Sequence, residues 1–336
     1  MKIMILGLGV IGTTYGYVFQ KSGHLIEHFV RESKRYNVAK IFNIKMLDGR
    51  YNNKGENKKD TYTVTLSQPN SNYDFILISV SMGKLEGAVK TLNENNISGT
   101  IILFNGTWEE RTSIDKVMGD HKYILGYPVA GGSLKDSLLD CVLFDHIMIE
   151  SEHKANIDNY LNLSQLLISA DIKAEVPFDM IEWIWLHMAI NAGVITTASK
   201  YGDVSDIAQS ASNIMNSASG LSEAVITIRE AVKVVKARGV KLNHYNNELM
   251  VYKIPSRLAG IIMRQMFKTN ELTRRIMELH SNMDDLIYVC KSVYDSGKEL
   301  GVKTPLLSIK YEQYILKLLY VQHISFYQLL LEMLCT

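Results

Sequence analysis

The chain has 336 residues, which is enough for two domains that each bury a hydrophobic core. Apolar residues make up 47% and charged residues 21%, as in an ordinary globular protein, and the formal net charge of +1 argues against bulk attraction to nucleic acid or to an anionic membrane. Three widely separated cysteines fit neither a disulfide framework nor a metal site, so we expect a cytoplasmic protein with reduced thiols and no bound metal.

The chain begins with a predicted buried strand over residues 2–6 and a predicted helix over residues 11–22. The segment that joins them reads Gly7-Leu8-Gly9-Val10-Ile11-Gly12. In a dinucleotide-binding βαβ unit, Gly7 would make the tight turn, Gly9 would let the backbone approach a pyrophosphate, and Gly12 would let helix and strand pack closely. The phosphates would lie at the positive end of the helix. The alternative is a chance glycine-rich turn.

The residue after the second predicted strand, residues 25–30, bears on the choice of cofactor. An acidic side chain at this place binds the ribose hydroxyls of NAD, whereas a basic one accommodates the 2′-phosphate of NADP. Arg31 stands there, which favours NADPH. Glu32 follows directly, and it would favour NADH if it faced the ribose instead.

Further strands and helices alternate along the first half of the chain. The polar stretch 47–62 predicts a solvated hairpin or loop, and residues 86–92 predict a helix. Further strands are predicted over residues 75–80, 100–104, 123–127 and 147–149. This order predicts an α/β fold with a Rossmann-type, doubly wound parallel sheet, which binds ligands at the carboxyl ends of its strands. Asn105 follows such an end, although Asn-Gly is also a common plain turn.

After about residue 173 the pattern becomes helical. Helices are predicted over residues 179–200, 205–237, 255–267, 270–300 and 305–333. We therefore divide the chain into a Rossmann-type NADP-binding domain, residues 1–173, and an all-α substrate and dimerisation domain, residues 174–336. The apolar face of the last helix favours a packed helix pair or the contact of a homodimer, because no apolar run approaches the roughly 18 residues of a membrane span.

One helical face in the second domain carries polar side chains. Trp183, His187 and Asn191 are spaced four residues apart and share a face of the predicted helix. One interpretation is a buried, hydrogen-bonded polar pair. The other is a general acid, His187, beside an amide, Asn191, that orients a substrate oxygen, since the ordinary pKa of histidine lies near working pH.

His280 and Asp284 are also four residues apart on a predicted helix. A polar face toward a ligand and a solvated helix face are both open, and the solvated face is the commoner arrangement.

Taken in order, these segments resemble the ketopantoate reductase (2-dehydropantoate 2-reductase) family along nearly the whole chain. The segment Gly7–Gly12 is similar to the cofactor loop of that family, Arg31 to its contact with the NADPH phosphate, and Phe104-Asn105-Gly106 to its Asn-Gly substrate and cofactor motif. Residues 183–195 resemble the helix with the catalytic lysine, and Gly301-Val302-Lys303-Thr304-Pro305 resembles the closing Gly-Val-x-x-Pro motif.

The chain departs from the family at several functional positions. His187 stands where the family has its lysine general acid, and Ile195 replaces the second asparagine, so that only Asn191 is retained. Ser81 takes the place of a lysine near the end of the third strand.

Counting back from the closing motif assigns two substrate-binding residues. The substrate-binding glutamate of the family falls at Asp285, or at Asp284 if the register slips, and its serine falls at about Thr273.

The resemblance implies an NADPH-dependent reductase of a small 2-oxo acid, with ketopantoate or a related compound as the substrate. His187 would donate a proton, and Asn105 and Asn191 would donate hydrogen bonds to the substrate. The altered family positions leave a second interpretation open, a non-catalytic NADP-binding protein that senses redox state. Nucleic acid is not expected as a partner in either case.

Overall fold

A computed structural model describes residues 1–36, 38–279 and 282–334. These residues form two compact units. The first contains Met1–Ile184 and Asn270–Asp285, and the second contains Trp185–Thr269 and the chain from Leu286 onward. The first unit therefore extends beyond residue 173 and includes a segment that the sequence assigned to the helical domain.

The first unit is built on one mixed sheet. Its strands are β1 (Lys2–Leu6), β2 (Leu25–Phe29), β3 (Ile41–Asp48), β4 (Glu56–Thr63), β5 (Asn72–Ile78), β6 (Ser98–Phe104), β7 (Tyr123–Lys135), β8 (Leu138–Ile149) and β9 (Lys173–Glu175). Their spatial order is β2-β1-β5-β6-β7-β8-β3-β4, and β9 pairs with β8.

Helices complete both units. They are α1 (Val10–Lys21), α2 (Glu32–Arg35), α3 (Leu85–Glu94), α4 (Arg111–Met118), α5 (Tyr160–Ser169), α6 (Met180–Ala198), α7 (Ile207–Asn216), α8 (Ala218–Ala237), α9 (Asn246–Lys253), α10 (Ser256–Thr269), α11 (Glu271–Leu279), α12 (Met283–Glu299) and α13 (Pro305–Leu334). Among the described residues, no helix is both long and apolar enough to cross a membrane.

The predicted parallel sheet is present over five strands, β2-β1-β5-β6-β7, which all pair in parallel. The central strands are continuous apolar runs, as expected of strands that are buried on both faces; Phe75 to Ile78 on β5 and Ile101 to Phe104 on β6 are all buried.

The rest of the sheet includes antiparallel pairs, so the sheet as a whole is mixed. β7 and β8 pair in antiparallel fashion across a two-residue turn, Asp136-Ser137, in which both residues have positive φ, 48° and 62°. Such a turn matches the twist of a hairpin and sends the chain straight back. β3 and β4 form a second hairpin, which is one of the two alternatives predicted for residues 47–62.

α11 belongs to the first unit because its apolar side packs on this part of the sheet. Leu272 is buried with Leu47 and Val142. Leu272 can pack this closely because residue 49 is a glycine. A Cβ at position 49 would lie 2.6 Å from a methyl carbon of Leu272. Arg275 adds an ion pair to Asp140 on β8.

The second unit is helical, as predicted, but two of the predicted helices are interrupted. The helix predicted over residues 205–237 divides at Ser217, whose hydroxyl accepts a hydrogen bond from the Gly220 N–H at 3.0 Å and so caps α8. The helix predicted over residues 270–300 divides into α11 and α12. Glu230 fixes the start of α13 by accepting from the N–H groups of Leu306 and Leu307 at 2.8 and 2.9 Å.

Candidate active site

The loop between β1 and α1 has the backbone geometry of a phosphate-binding turn. Gly7 has a φ of +94°, which L side chains rarely adopt, and its N–H donates to the Phe29 carbonyl at 2.9 Å. Gly9 lies at the N-cap of α1 in open space, and a Cβ there would meet no atom within 4 Å. A Cβ on Gly12 would lie 2.7 Å from Cγ2 of Ile5, so α1 packs closely on β1.

This end of α1 suits a negatively charged group. The first N–H groups of a helix have no acceptor within the helix, and the aligned peptide dipoles make that end positive. Only apolar side chains, glycine and a threonine hydroxyl occupy the first turn of α1, so no carboxylate competes with a phosphate for these N–H groups. The residues present therefore fit a pyrophosphate.

Asn105 lies directly after β6 and is 95% buried, at 5% exposure. Its Oδ1 atom has no hydrogen-bond partner among the described residues, and leaving such an atom unsatisfied costs roughly 1–3 kcal/mol. The next residue, Gly106, approaches the loop after β5, since a Cβ there would lie 2.5 Å from Cε of Met82. An unsatisfied buried amide beside these strand ends is a natural place for a donor group of a ligand.

Arg31 is exposed and follows β2 after one residue, at the edge of a cavity of about 210 Å³. Arg35 also lines this cavity, and its guanidinium donates to the Ser67 carbonyl at 2.8 Å. Glu32 and Glu94 line the same cavity. The cavity is therefore lined both by Arg31, which would favour NADPH, and by Glu32, which would favour NADH.

Asp285, the position matched to the glutamate of the family, reaches the end of β5. Its Oδ1 accepts from the Met82 N–H at 2.9 Å, and its Oδ2 accepts from Nδ2 of Asn282 at 2.6 Å. Asn282 also donates to the hydroxyl of Ser81 at 3.2 Å. Ser81, which departs from the family, and Asp285 are thus parts of one hydrogen-bonded cluster.

Tyr127 on β7 lies near this cluster. Burial, with a smaller contribution from the negative charge of Asp285, raises the pKa of Tyr127 to about 12, so its hydroxyl keeps its proton. The ring of Tyr127 packs edge-on against Trp183, with 5.3 Å between centroids. No local pattern in the sequence marks Tyr127, because its contact with Trp183 joins residues distant in the chain.

Two further residues, Thr273 and His280, are candidates from the sequence for contact with a ligand. Thr273 lies in the first turn of α11, where its backbone N–H donates to the Asn270 side chain at 3.0 Å. His280, proposed to share a helix face with Asp284, lies outside the described residues.

Trp183, His187 and Asn191 all lie on α6, at the predicted spacing of four residues. Trp183 is buried, and His187 and Asn191 are partly buried. Burial lowers the pKa of His187 to about 4, so the imidazole is neutral at neutral pH. A neutral imidazole still has one N–H to donate.

His28 on β2 also lies at the glycine loop, and no prediction of site residues from the sequence includes it. This side chain is fully buried and contacts the Gly7 carbonyl and the Tyr62 hydroxyl, each at 2.7 Å. The available signal was a histidine within an apolar strand next to the glycine loop. The described residues contain no group of three or more histidine, cysteine or acidic side chains that could hold a metal ion.

The parallel strands and the glycine loop are those of a dinucleotide-binding fold. Residues 3–138 match the family model of ketopantoate reductase PanE/ApbA. This match agrees with the resemblance found in the sequence. A comparison with curated proteins finds no match.

Solved structures of similar fold extend the likeness to nearly the whole chain. A dimeric ketopantoate reductase from Staphylococcus aureus has a TM-score of 0.61 at 15% identity and covers 94% of this chain and 98% of its own. The 2-dehydropantoate 2-reductase from Methylococcus capsulatus has a TM-score of 0.58 at 18% identity and covers 96% and 97%. A D-mandelate dehydrogenase, solved with NADH and anilino(oxo)acetate, has a TM-score of 0.64 at 14% identity and covers 94% and 98%. These likenesses confirm the predicted fold class.

Proposed function

We propose that the chain is an NADPH-dependent reductase that transfers a hydride to the carbonyl carbon of a small 2-oxo acid, ketopantoate or a related compound. The observation that carries this proposal is the glycine loop of residues 7–12, with its open N-cap at Gly9, in a segment that matches the family model of ketopantoate reductase. When bound, the nicotinamide supplies the hydride.

The six loop residues Gly7 to Gly12 hold the pyrophosphate through backbone N–H groups at the start of α1. Arg31 binds the 2′-phosphate of NADPH, because an exposed guanidinium next to the end of β2 is free to form charge-assisted hydrogen bonds with phosphate oxygens. Asn105 binds the cofactor and the substrate, and its unsatisfied Oδ1 accepts a hydrogen bond from one of them.

His187 supplies the proton to the substrate oxygen as negative charge develops there. Burial lowers the pKa of His187 to about 4. A 2-oxo acid carries a carboxylate, and a nearby negative charge raises the pKa of an imidazole, so substrate binding promotes protonation of His187. Asn191 donates a hydrogen bond from its side-chain amide to the substrate and orients it.

Asp285 and Thr273 bind the part of the substrate away from the reacting carbonyl. An ionised carboxylate only accepts hydrogen bonds, so Asp285 selects a substrate hydroxyl and repels a second acidic group. Its existing donors, the Met82 N–H and the Asn282 amide, hold it in place.

The experiment compares the parent chain with His187→Ala and with His153→Ala, which alters an exposed histidine. Steady-state oxidation of NADPH is measured with ketopantoate and with a panel of other 2-oxo acids. We expect turnover by the parent and by His153→Ala, and a fall of roughly 10²-fold or more in kcat for His187→Ala. Unchanged kcat in His187→Ala would remove that residue from the mechanism.

One observation favours a second candidate, a non-catalytic NADP-binding protein that senses redox state. His187 and Ser81 replace two lysines of the family, and His187 is neutral at neutral pH. Such a protein would bind NADPH without oxidising it in the presence of any 2-oxo acid.

We also propose a cytoplasmic homodimer. Cys141 and Cys290 are buried free thiols, as suits a reducing compartment. Several apolar side chains of α13 are exposed, namely Ile309, Leu316, Leu319 and Tyr320. Light scattering of the purified chain should give the mass of a dimer, and the mass of a monomer would contradict the proposal.

A further inference from the structure

A buried histidine holds the glycine loop from behind. His28 is 0% exposed, and its Nδ1 lies 2.7 Å from the Gly7 carbonyl oxygen. Its Nε2 lies 2.7 Å from the hydroxyl of Tyr62 on β4. Since a carbonyl can only accept, Nδ1 carries the hydrogen, and the Tyr62 hydroxyl donates to Nε2. Burial lowers the pKa of His28 to about 4, which agrees with a neutral imidazole in this single tautomer.

These contacts fix the orientation of the peptide group between Gly7 and Leu8. The N–H of Gly7 donates to the Phe29 carbonyl at 2.9 Å, so β2 holds Gly7 on both of its polar groups. In a trans peptide, the carbonyl and the following N–H point in opposite directions. By holding the Gly7 carbonyl, His28 therefore directs the Leu8 N–H to the opposite side, away from the imidazole.

Helix α1 has the space that this arrangement needs. A Cβ on Gly16 would lie 2.6 Å from the Tyr62 hydroxyl oxygen and 3.0 Å from Nε2 of His28. Any larger residue at position 16 would displace the pair. Tyr62 is itself 0% exposed, so its hydroxyl has few alternatives to His28 as an acceptor.

We propose that His28 is a positioning residue of the dinucleotide site, and that Tyr62 fixes the imidazole tautomer which holds the Gly7 carbonyl and pre-orders the phosphate-binding loop. This inference rests on the proposed binding of NADPH at residues 7–12. It assigns a role in cofactor affinity to a strand residue and to a tyrosine that lie behind the loop.

The test uses two replacements of His28 that differ in which contact they can keep. Asparagine places its amide nitrogen near the position of Nδ1 and can still donate to Gly7, whereas glutamine places its amide near Nε2. The third variant, Tyr62→Phe, removes only the hydroxyl that fixes the tautomer. The matched control is Tyr17→Phe, because the ring of Tyr17 packs against the ring of Tyr62. This variant removes a hydroxyl that donates to Asp60, also on β4, at 3.0 Å.

The dissociation constant of NADPH is measured on the full chain by fluorescence titration, together with KM for NADPH and kcat. We expect His28→Gln and Tyr62→Phe to raise the dissociation constant at least about fivefold, as for the loss of one hydrogen bond. His28→Asn and Tyr17→Phe should stay within about twofold of the parent, and kcat at saturating NADPH should change little in any variant. A structural role alone would not separate asparagine from glutamine at position 28.

The outcomes distinguish the inference from the proposed function. If the parent binds NADPH, and His28→Gln and Tyr62→Phe bind it as tightly as Tyr17→Phe does, the inference is overturned while the proposed function stands. If the parent binds neither NADPH nor NADH, both are overturned. Should the His28 variants fail to fold, Tyr62→Phe against Tyr17→Phe decides alone.

Discussion

Acidification should destabilise the protein through His28. Burial, the largest influence, lowers the pKa of this side chain from 6.5 to about 4, and the hydrogen bond to Gly7 opposes that effect only in part. Below pH 6.5 the unfolded chain therefore binds a proton that the folded chain does not, so the stability present above that pH is lost as the pH falls toward 4. At about 1.4 kcal/mol per pKa unit, the loss relative to neutral pH is about 2 kcal/mol at about pH 5 and about 3 kcal/mol at about pH 4.

Urea unfolding of the full chain at neutral pH and at about pH 5 measures this loss. The variant His28→Asn removes the titrating group, so the difference between its two free energies of unfolding should be smaller than in the parent by about 2 kcal/mol. His187, also with a pKa of about 4, adds its own share to both proteins. His153→Asn, which removes an exposed histidine, is the control and should match the parent. Equal losses in the parent and in His28→Asn would refute the reasoning.

Three further predictions concern packing, cofactor choice and buried charge. Gly12→Ala should lower the free energy of unfolding by about 1–3 kcal/mol, because the new Cβ would meet the buried side chain of Ile5. The control Gly87→Ala, which lies in open space on α3, should raise the free energy of unfolding by up to about 1 kcal/mol. Equal urea midpoints for the two variants would contradict this. Arg31→Ala should weaken NADPH about tenfold and leave NADH nearly unchanged in fluorescence titrations, and an equal effect on both would point to Glu32 as the ribose contact. Lys310→Met should lower the melting temperature, because the buried ammonium donates to the hydroxyls of Thr197 and Thr227 at 2.9 and 2.6 Å. The variant also removes a partner of Glu223, and an unchanged or higher melting temperature would contradict this.

Much of the parallel sheet could be predicted because its signals are local. Residues 75–78 and 101–104 are uninterrupted apolar runs, which are typical of strands buried on both faces. The hairpin of β7 and β8 could not be predicted in this way. Its turn, Asp136-Ser137, lacks the glycine that usually marks a turn with positive φ.

Helix ends were harder to predict than helices. The apolar spacing continues across Ser217, so the sequence predicts one helix, although the serine hydroxyl caps a new helix there. The same applies to residues 270–300, where α11 packs on the sheet through Leu272 and belongs to the first unit. Periodicity reports which residues face a core, but it does not report which core.

The candidate site follows the same division. The glycine loop, Arg31 and Asn105 are each marked by their neighbours in sequence. The contacts of His28 with Tyr62, and of Asp285 with Met82, join residues far apart in the chain, so no local pattern could reveal them.

The central claim is hydride transfer from a nicotinamide to a 2-oxo acid, and one labelling measurement tests it most directly. The purified chain is incubated with ketopantoate and NADPH that carries deuterium at the reactive position of the nicotinamide ring, and the product is analysed by mass spectrometry. Our account predicts a 2-hydroxy acid with one deuterium on the carbon that was the carbonyl. Tight binding of NADPH with no labelled product, from ketopantoate or from any 2-oxo acid of the panel, would contradict the account and favour the redox sensor.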